Sequence, residues 1–167
     1  HMVWGTPYQY VLGASLAKGK YLYFVDSDMQ LEPQAVATYI RQMEETAADA
    51  LTVPEVSFGE GFWAKCKVLE RSAFLLGGSS IETPRFMLKR VWDEVGGYDP
   101  DMGGLLDWDF HMRLRAAQKQ IIRGAIPVYH NEGRLMLRKL VKKKFTYGKS
   151  AGVYLRKYWR IKKEVST

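Results

Sequence analysis

The stretch "YLYFVDSDMQL", residues 21–31, runs from apolar residues directly into two carboxylates, Asp26 and Asp28. Side chains alternate between faces along a strand, so residues two apart project together where the strand ends. In open α/β sheets the ligand crevice lies outside the carboxyl ends of the strands. Two carboxylates packed there repel each other, and a divalent cation removes that cost while holding a phosphate oxygen. A second reading stands beside this one, in which Asp26 or Asp28 caps the following helix and Ser27 fills a turn.

Strands and helices that could position such a pair alternate along the chain. Tyr8 to Ala17 has a helical pattern stopped near Gly19, and Tyr21 to Val25 is a short buried-strand run. Pro33 precedes Val36, Tyr39, Ile40 and Met43 at helical spacing. "DALTVPEVSFGEG" reads as a strand entering a glycine loop, and "FWAKCKVLERSAFLL" as an amphipathic helix ended by Gly77 and Gly78. After these come "RFMLKR" as a strand, "VWDEVGGYD" as a short helix, "DWDFHMRLRAAQK" as a helix and "IIRGAIPVYH" as a final strand. The order predicts a mixed α/β sheet covered by helices.

Composition narrows the class. With 167 residues, 47% of them apolar, the chain has material for one domain with a real core. The single cysteine, Cys66, excludes an internal disulfide and suits a reducing, cytoplasmic setting. It shares a helical face with Phe62, Leu69, Ala73 and Leu76, which predicts a buried thiol. No run approaches the roughly 18 apolar residues of a membrane span. His1 and Met2 resemble a cloning scar, which implies that the natural chain has been cut there or begins near Val3. The net charge of +7 is unevenly placed. Residues 134–163 hold 12 of the 25 basic residues and no acid, whereas residues 1–133 carry 13 basic residues against 17 acidic ones. The division is thus a mildly acidic body, residues 1–133, and a basic helical tail, residues 134–167.

Taken in order, "AKGKYLYFVDSDMQLEPQAV", "RFMLKRVWDEVGGYDPDM", "DWDFHMRLRAAQK" and "YHNEGRLMLRKL" resemble the inverting family 2 glycosyltransferases of the GT-A fold. The likeness runs from about Ala14 to Tyr147. It implies a Rossmann-like mixed sheet flanked by helices, and transfer of a sugar from a nucleotide-diphosphate sugar to a glycan or lipid-linked acceptor. It further implies Mn²⁺ or Mg²⁺ as cofactor, with Asp28 as metal ligand and Asp26 nearer the ribose and metal-bound water. Asp107 matches the general base of the family, which takes the proton of the acceptor hydroxyl. His130 matches a histidine that completes the metal shell in many GT-A enzymes, and a histidine at a strand end also serves purely structural purposes. Trp108 and Asp109 fall in the acceptor region, where Trp108 either stacks on a sugar or packs in the core.

Two departures from the family pattern matter. Leu106 replaces the glutamate that usually precedes the base and helps place the acceptor. The nucleotide-binding first half of the family does not precede these motifs, which implies a partial GT-A fold completed by another chain, or a homodimer formed through the uncovered sheet edge. A non-catalytic GT-A-like remnant or assembly module is the alternative. The tail interleaves Leu137, Leu140, Val141, Phe145, Tyr154, Leu155, Tyr158 and Trp159 with its basic residues. That pattern suits a helix lying on an anionic membrane surface, peripheral to its inner face, or a helix packed on the body. No nucleic-acid partner is expected, since the acidic body resembles no nucleic-acid module.

Overall fold

The computed structural model describes residues 6–76 and 84–165. The helix stop read at Gly77 and Gly78, the start near Val3 and the side chains from Trp159 onward lie outside what it describes. The chain runs α1 (Thr6–Leu16), β1 (Tyr21–Tyr23), β2 (Met29–Gln30), α2 (Ala35–Thr46), β3 (Ala50–Thr52), β4 (Glu55–Glu60) and α3 (Phe62–Leu76). It continues with β5 (Pro84–Leu88), α4 (Lys89–Val95), a 3-10 segment (Pro100–Leu105), α5 (Leu106–Ala116), β6 (Ile121–Arg123), β7 (Val128–Arg134) and α6 (Leu137–Val165).

The strands form two mixed sheets. The first has the order β1-β5-β3-β6, with β5 antiparallel to both neighbours and β3 parallel to β6. The second has the order β2-β7-β4, with β7 antiparallel to β2 and parallel to β4. This is a mixed α/β arrangement flanked by helices, as a GT-A-like fold requires. It departs from the single sheet read in the sequence. "DALTVPEVSFGEG" and "IIRGAIPVYH" each divide into two strands, β3 and β4 in one case, β6 and β7 in the other. In each pair the chain leaves the first sheet and enters the second at a proline, Pro54 or Pro127, whose missing N–H cannot continue a ladder.

Neighbouring residues on the central strands face opposite ways, so the first sheet carries apolar packing on both faces. Ala50 of β3 and Met87 of β5 join Leu22, Phe24, Trp92, Tyr98, Phe110 and Leu114 on one side. Leu51 and Phe86 join Tyr39, Met43, Val53 and Val128 on the other. On the first side the Phe24 ring lies tilted against Trp92 at 4.7 Å, and Tyr98 packs edge-to-face with both Trp92 and Phe110. Gly97 makes this cluster possible. It has φ +62, and a Cβ there would lie 2.7 Å from the Trp92 ring.

Helix α2 buries Ala35, Tyr39 and Met43 at four-residue intervals and closes at Ala47 in a left-handed conformation. Helix α3 turns the other way from the sequence reading. Cys66 is exposed, and Phe62 and Leu69 on its face are 69% and 72% exposed, while Ala64 is fully buried. The buried thiol is therefore corrected. An apolar periodicity defines a stripe, and small Ala64 lets α3 approach β4 and β7 more closely than Phe62 could.

The basic tail is one long helix, α6, laid against the body. Val153 and Tyr154 pack on the first core, and Lys157 and Tyr158 reach Asp99 and Asp109. Among the described residues no helix is long and apolar enough to cross a membrane.

Candidate active site

The "DSD" segment is a turn, not the last residues of a strand. β1 ends at Tyr23, the Met29 N–H donates to the Asp26 carbonyl, and β2 begins at Met29. The two aspartates consequently part company instead of sharing a strand face. The helix-cap reading is also excluded, because α2 starts behind Gln34 and has no side-chain cap.

Asp26 turns toward the first sheet. It accepts from the Tyr10 hydroxyl and faces Arg85 Nη1 at 3.3 Å. Asp28 turns toward the second sheet. Its carbonyl accepts from Asn131, and Met29 pairs with His130 across β2 and β7, which brings Asp28 Oδ2 to 3.3 Å from His130 Nε2. The other ring nitrogen, Nδ1, lies 2.7 Å from Glu55 Oε1 of β4. Glu132 Oε1 is farther, at 4.0 Å, and accepts from the Ser57 hydroxyl.

Arg85 joins the two groups. Its Nη2 lies 3.4 Å from Glu55 Oε2 while Nη1 serves Asp26, and Arg71 adds a second cation 3.4 Å from Glu55 Oε1. A single chain of charge thus runs Asp26, Arg85, Glu55, His130, Asp28. The side chains of Arg85, Glu55 and His130 are 12%, 13% and 15% exposed, which leaves little water to screen them. Burial opposes the Arg85 charge, but Asp107, Glu55 and Asp26 overcome it and raise its pKa. Burial likewise opposes ionisation of Glu55, and His130, Arg71 and Arg85 nevertheless hold it at about 2. The hydrogen bond to Glu55 raises the His130 pKa against the effect of burial.

Asp107 sits in the first turn of α5, where the helix dipole favours a negative charge. The preceding 3-10 segment delivers it there through Gly103, at φ 52 and ψ −119, a backbone conformation open to glycine. Asp107 acts electrostatically on Arg85 and is hydrogen-bonded to Tyr98. Burial, then the Asp107 charge, push the Tyr98 hydroxyl well above its ordinary pKa, so it stays protonated. Arg85 thereby connects Asp107 with Asp26 and Glu55.

The remaining residues singled out in the sequence divide. Trp108 is 45% exposed and meets the edge of Tyr154 on α6, so its ring is neither buried nor idle. Asp109 is fully buried, held by Arg113 at 2.8 Å, Lys157 at 2.7 Å and the Tyr158 hydroxyl at 2.9 Å. Arg113 also donates to the carbonyls of Val95 and Gly97, closing the end of α4. Leu106 is buried in the first core.

Glu55 and Arg85 went unremarked in the sequence, yet a signal existed. Each is an ionisable residue inside an apolar, strand-like run, "LTVPEVSF" and "PRFML", and a buried charge demands a partner. A carboxylate oxygen and an imidazole nitrogen are donors that suit Mn²⁺. Asp28 Oδ2 and His130 Nε2, 3.3 Å apart, are one such pair of donors. Among the described residues Glu55, His130 and Glu132 also gather metal-ligating atoms.

The family model described as Glycosyl transferase family 2 matches residues 4–145. No curated protein matches the chain.

Proposed function

Because the chain belongs to glycosyl transferase family 2, a family of glycosyl transfer, we propose that it moves a sugar from a nucleotide-diphosphate sugar to an acceptor hydroxyl with inversion. In this reading Asp28 and His130 hold Mn²⁺ or Mg²⁺. The chemistry such an ion supplies is relief of the negative charge on the departing diphosphate. Asp26, fixed by Tyr10 and Arg85, would serve the ribose and metal-bound water in this reading. Asp107 accepts the proton of the acceptor hydroxyl, whose oxygen attacks opposite the leaving group. Tyr98, kept protonated, donates to Asp107 and orients it. The exposed Trp108 offers a ring to the acceptor, while buried Asp109 anchors α6.

The observation that carries this reading is the 3.3 Å approach of His130 Nε2 to Asp28 Oδ2, with Arg85 joining Asp26, Glu55 and Asp107 beside it. Calorimetry with uridine diphosphate tests it. Binding is expected to require Mn²⁺ and to vanish in Asp28→Ala. Binding that ignores both the metal and the substitution refutes the enzyme reading and leaves the non-catalytic module.

A membrane-surface partner for α6 draws support from Leu137, Val141 and Phe145. They recur every four residues and are 47%, 59% and 70% exposed, beside basic Arg138 and Lys142. Sedimentation with phosphatidylserine vesicles is expected to carry the chain down at low salt, and to fail with Phe145→Asp. Equal sedimentation with neutral vesicles would refute the electrostatic part.

A further inference from the structure

We infer that Glu55 is a positioning residue, holding His130 with its proton on Nδ1 so that the Nε2 lone pair faces Asp28. The inference rests on the metal reading above and adds a residue that neither the sequence motifs nor the family match singles out. An imidazole that ligates a cation through one nitrogen donates its other N–H to a fixed acceptor, which sets both tautomer and ring angle. His130 has the arrangement this demands. Nδ1 is 2.7 Å from Glu55 Oε1, a full hydrogen bond, and Nε2 is turned to Asp28. Asp28, which competes for the proton at Nε2, is farther away at 3.3 Å, and Glu132, 4.0 Å from Nδ1, already accepts from Ser57.

Glu55 is held on both sides. Arg85 grips Oε2 and Arg71 approaches Oε1, so the carboxylate cannot swing away from the ring. The strand register explains how it gets there. β4 runs parallel to β7 with Ser57 opposite His130, and Glu55, two residues back on the same face as Ser57, reaches forward to Nδ1. His130 in turn sits opposite Met29 of β2, immediately after Asp28. The central strand β7 therefore presents one ring to a carboxylate on each side, one as orienting acceptor and one as co-ligand.

The test uses ¹⁵N-histidine NMR of the whole chain at a pH where the imidazole is neutral, and Mn²⁺ binding followed by the free-ion EPR signal. Wild type is expected to carry the proton on Nδ1 and to bind Mn²⁺. Glu55→Ala should shift His130 toward the Nε2–H form and weaken Mn²⁺ roughly 10- to 100-fold. Glu55→Gln, whose amide oxygen still accepts, should restore the Nδ1–H form. An Nε2–H tautomer in wild type, or Mn²⁺ bound equally well with and without Glu55, overturns the role of Glu55. A chain with the Nδ1–H form that binds no Mn²⁺ refutes the metal reading instead.

Discussion

Replacing Glu55 by Gln keeps its shape and removes its charge, and the cost follows from the site. A carboxyl held at about 2 instead of its ordinary 4.5 stabilises the folded chain at neutral pH by roughly 3 kcal/mol. The side chain is 13% exposed, so solvent screening removes little of this. The sign is that of a depressed carboxylate. The stabilisation is complete above the unfolded value near 4.5 and is lost as pH falls through about 2. Urea unfolding of wild type and Glu55→Gln at several pH values is the assay. The difference between them should be near 3 kcal/mol at pH 7 and shrink below pH 4.5 by roughly 1.4 kcal/mol per pH unit. A difference that stays constant from pH 7 to pH 3 refutes the electrostatic account and leaves only lost packing.

Two further outcomes are expected. Lys157→Met leaves fully buried Asp109 with Arg113 and Tyr158 alone; it should cost roughly 1–3 kcal/mol and speed amide exchange in α6, and unchanged α6 exchange would sink the docking argument. Gly97→Ala combines a left-handed φ of +62 with a Cβ 2.7 Å from the Trp92 ring; a loss of at least about 2 kcal/mol in thermal unfolding is expected, and an unchanged melting temperature would contradict the packing described.

The short helix ending in Gly96 and Gly97 and the helix bearing Asp107 were legible because each rests on local chemistry; the turn that parts Asp26 from Asp28 was not, since an apolar run does not show where its strand stops. Glycine conformations, apolar runs and helix spacing are written in a few adjacent residues. What escaped depends on residues far apart in the chain. Glu55 meets His130 only because β4 and β7 lie parallel, 75 residues apart. Arg85 meets Asp26 because β5 runs antiparallel between β1 and β3. The two-sheet split was hidden for a related reason, since a strand that ends at a proline and a strand that bends past it look alike in sequence. With α3 the stripe was visible but its direction was not. Periodicity marks a face and is silent on whether a large residue or Ala64 fits the gap.

The chain of charges from Asp26 to Asp28 has a bearing on how any mutational scan of this protein will be read. Neutralising one member changes the field felt by every other, so Asp26 and Asp28, although turned toward different sheets, are not independent positions. Single substitutions along it will each record much of the same loss, and their sum will exceed the effect of removing several at once. Only double-mutant cycles, with Arg85 as the common partner, can divide the energy between holding the two sheets together and preparing the site.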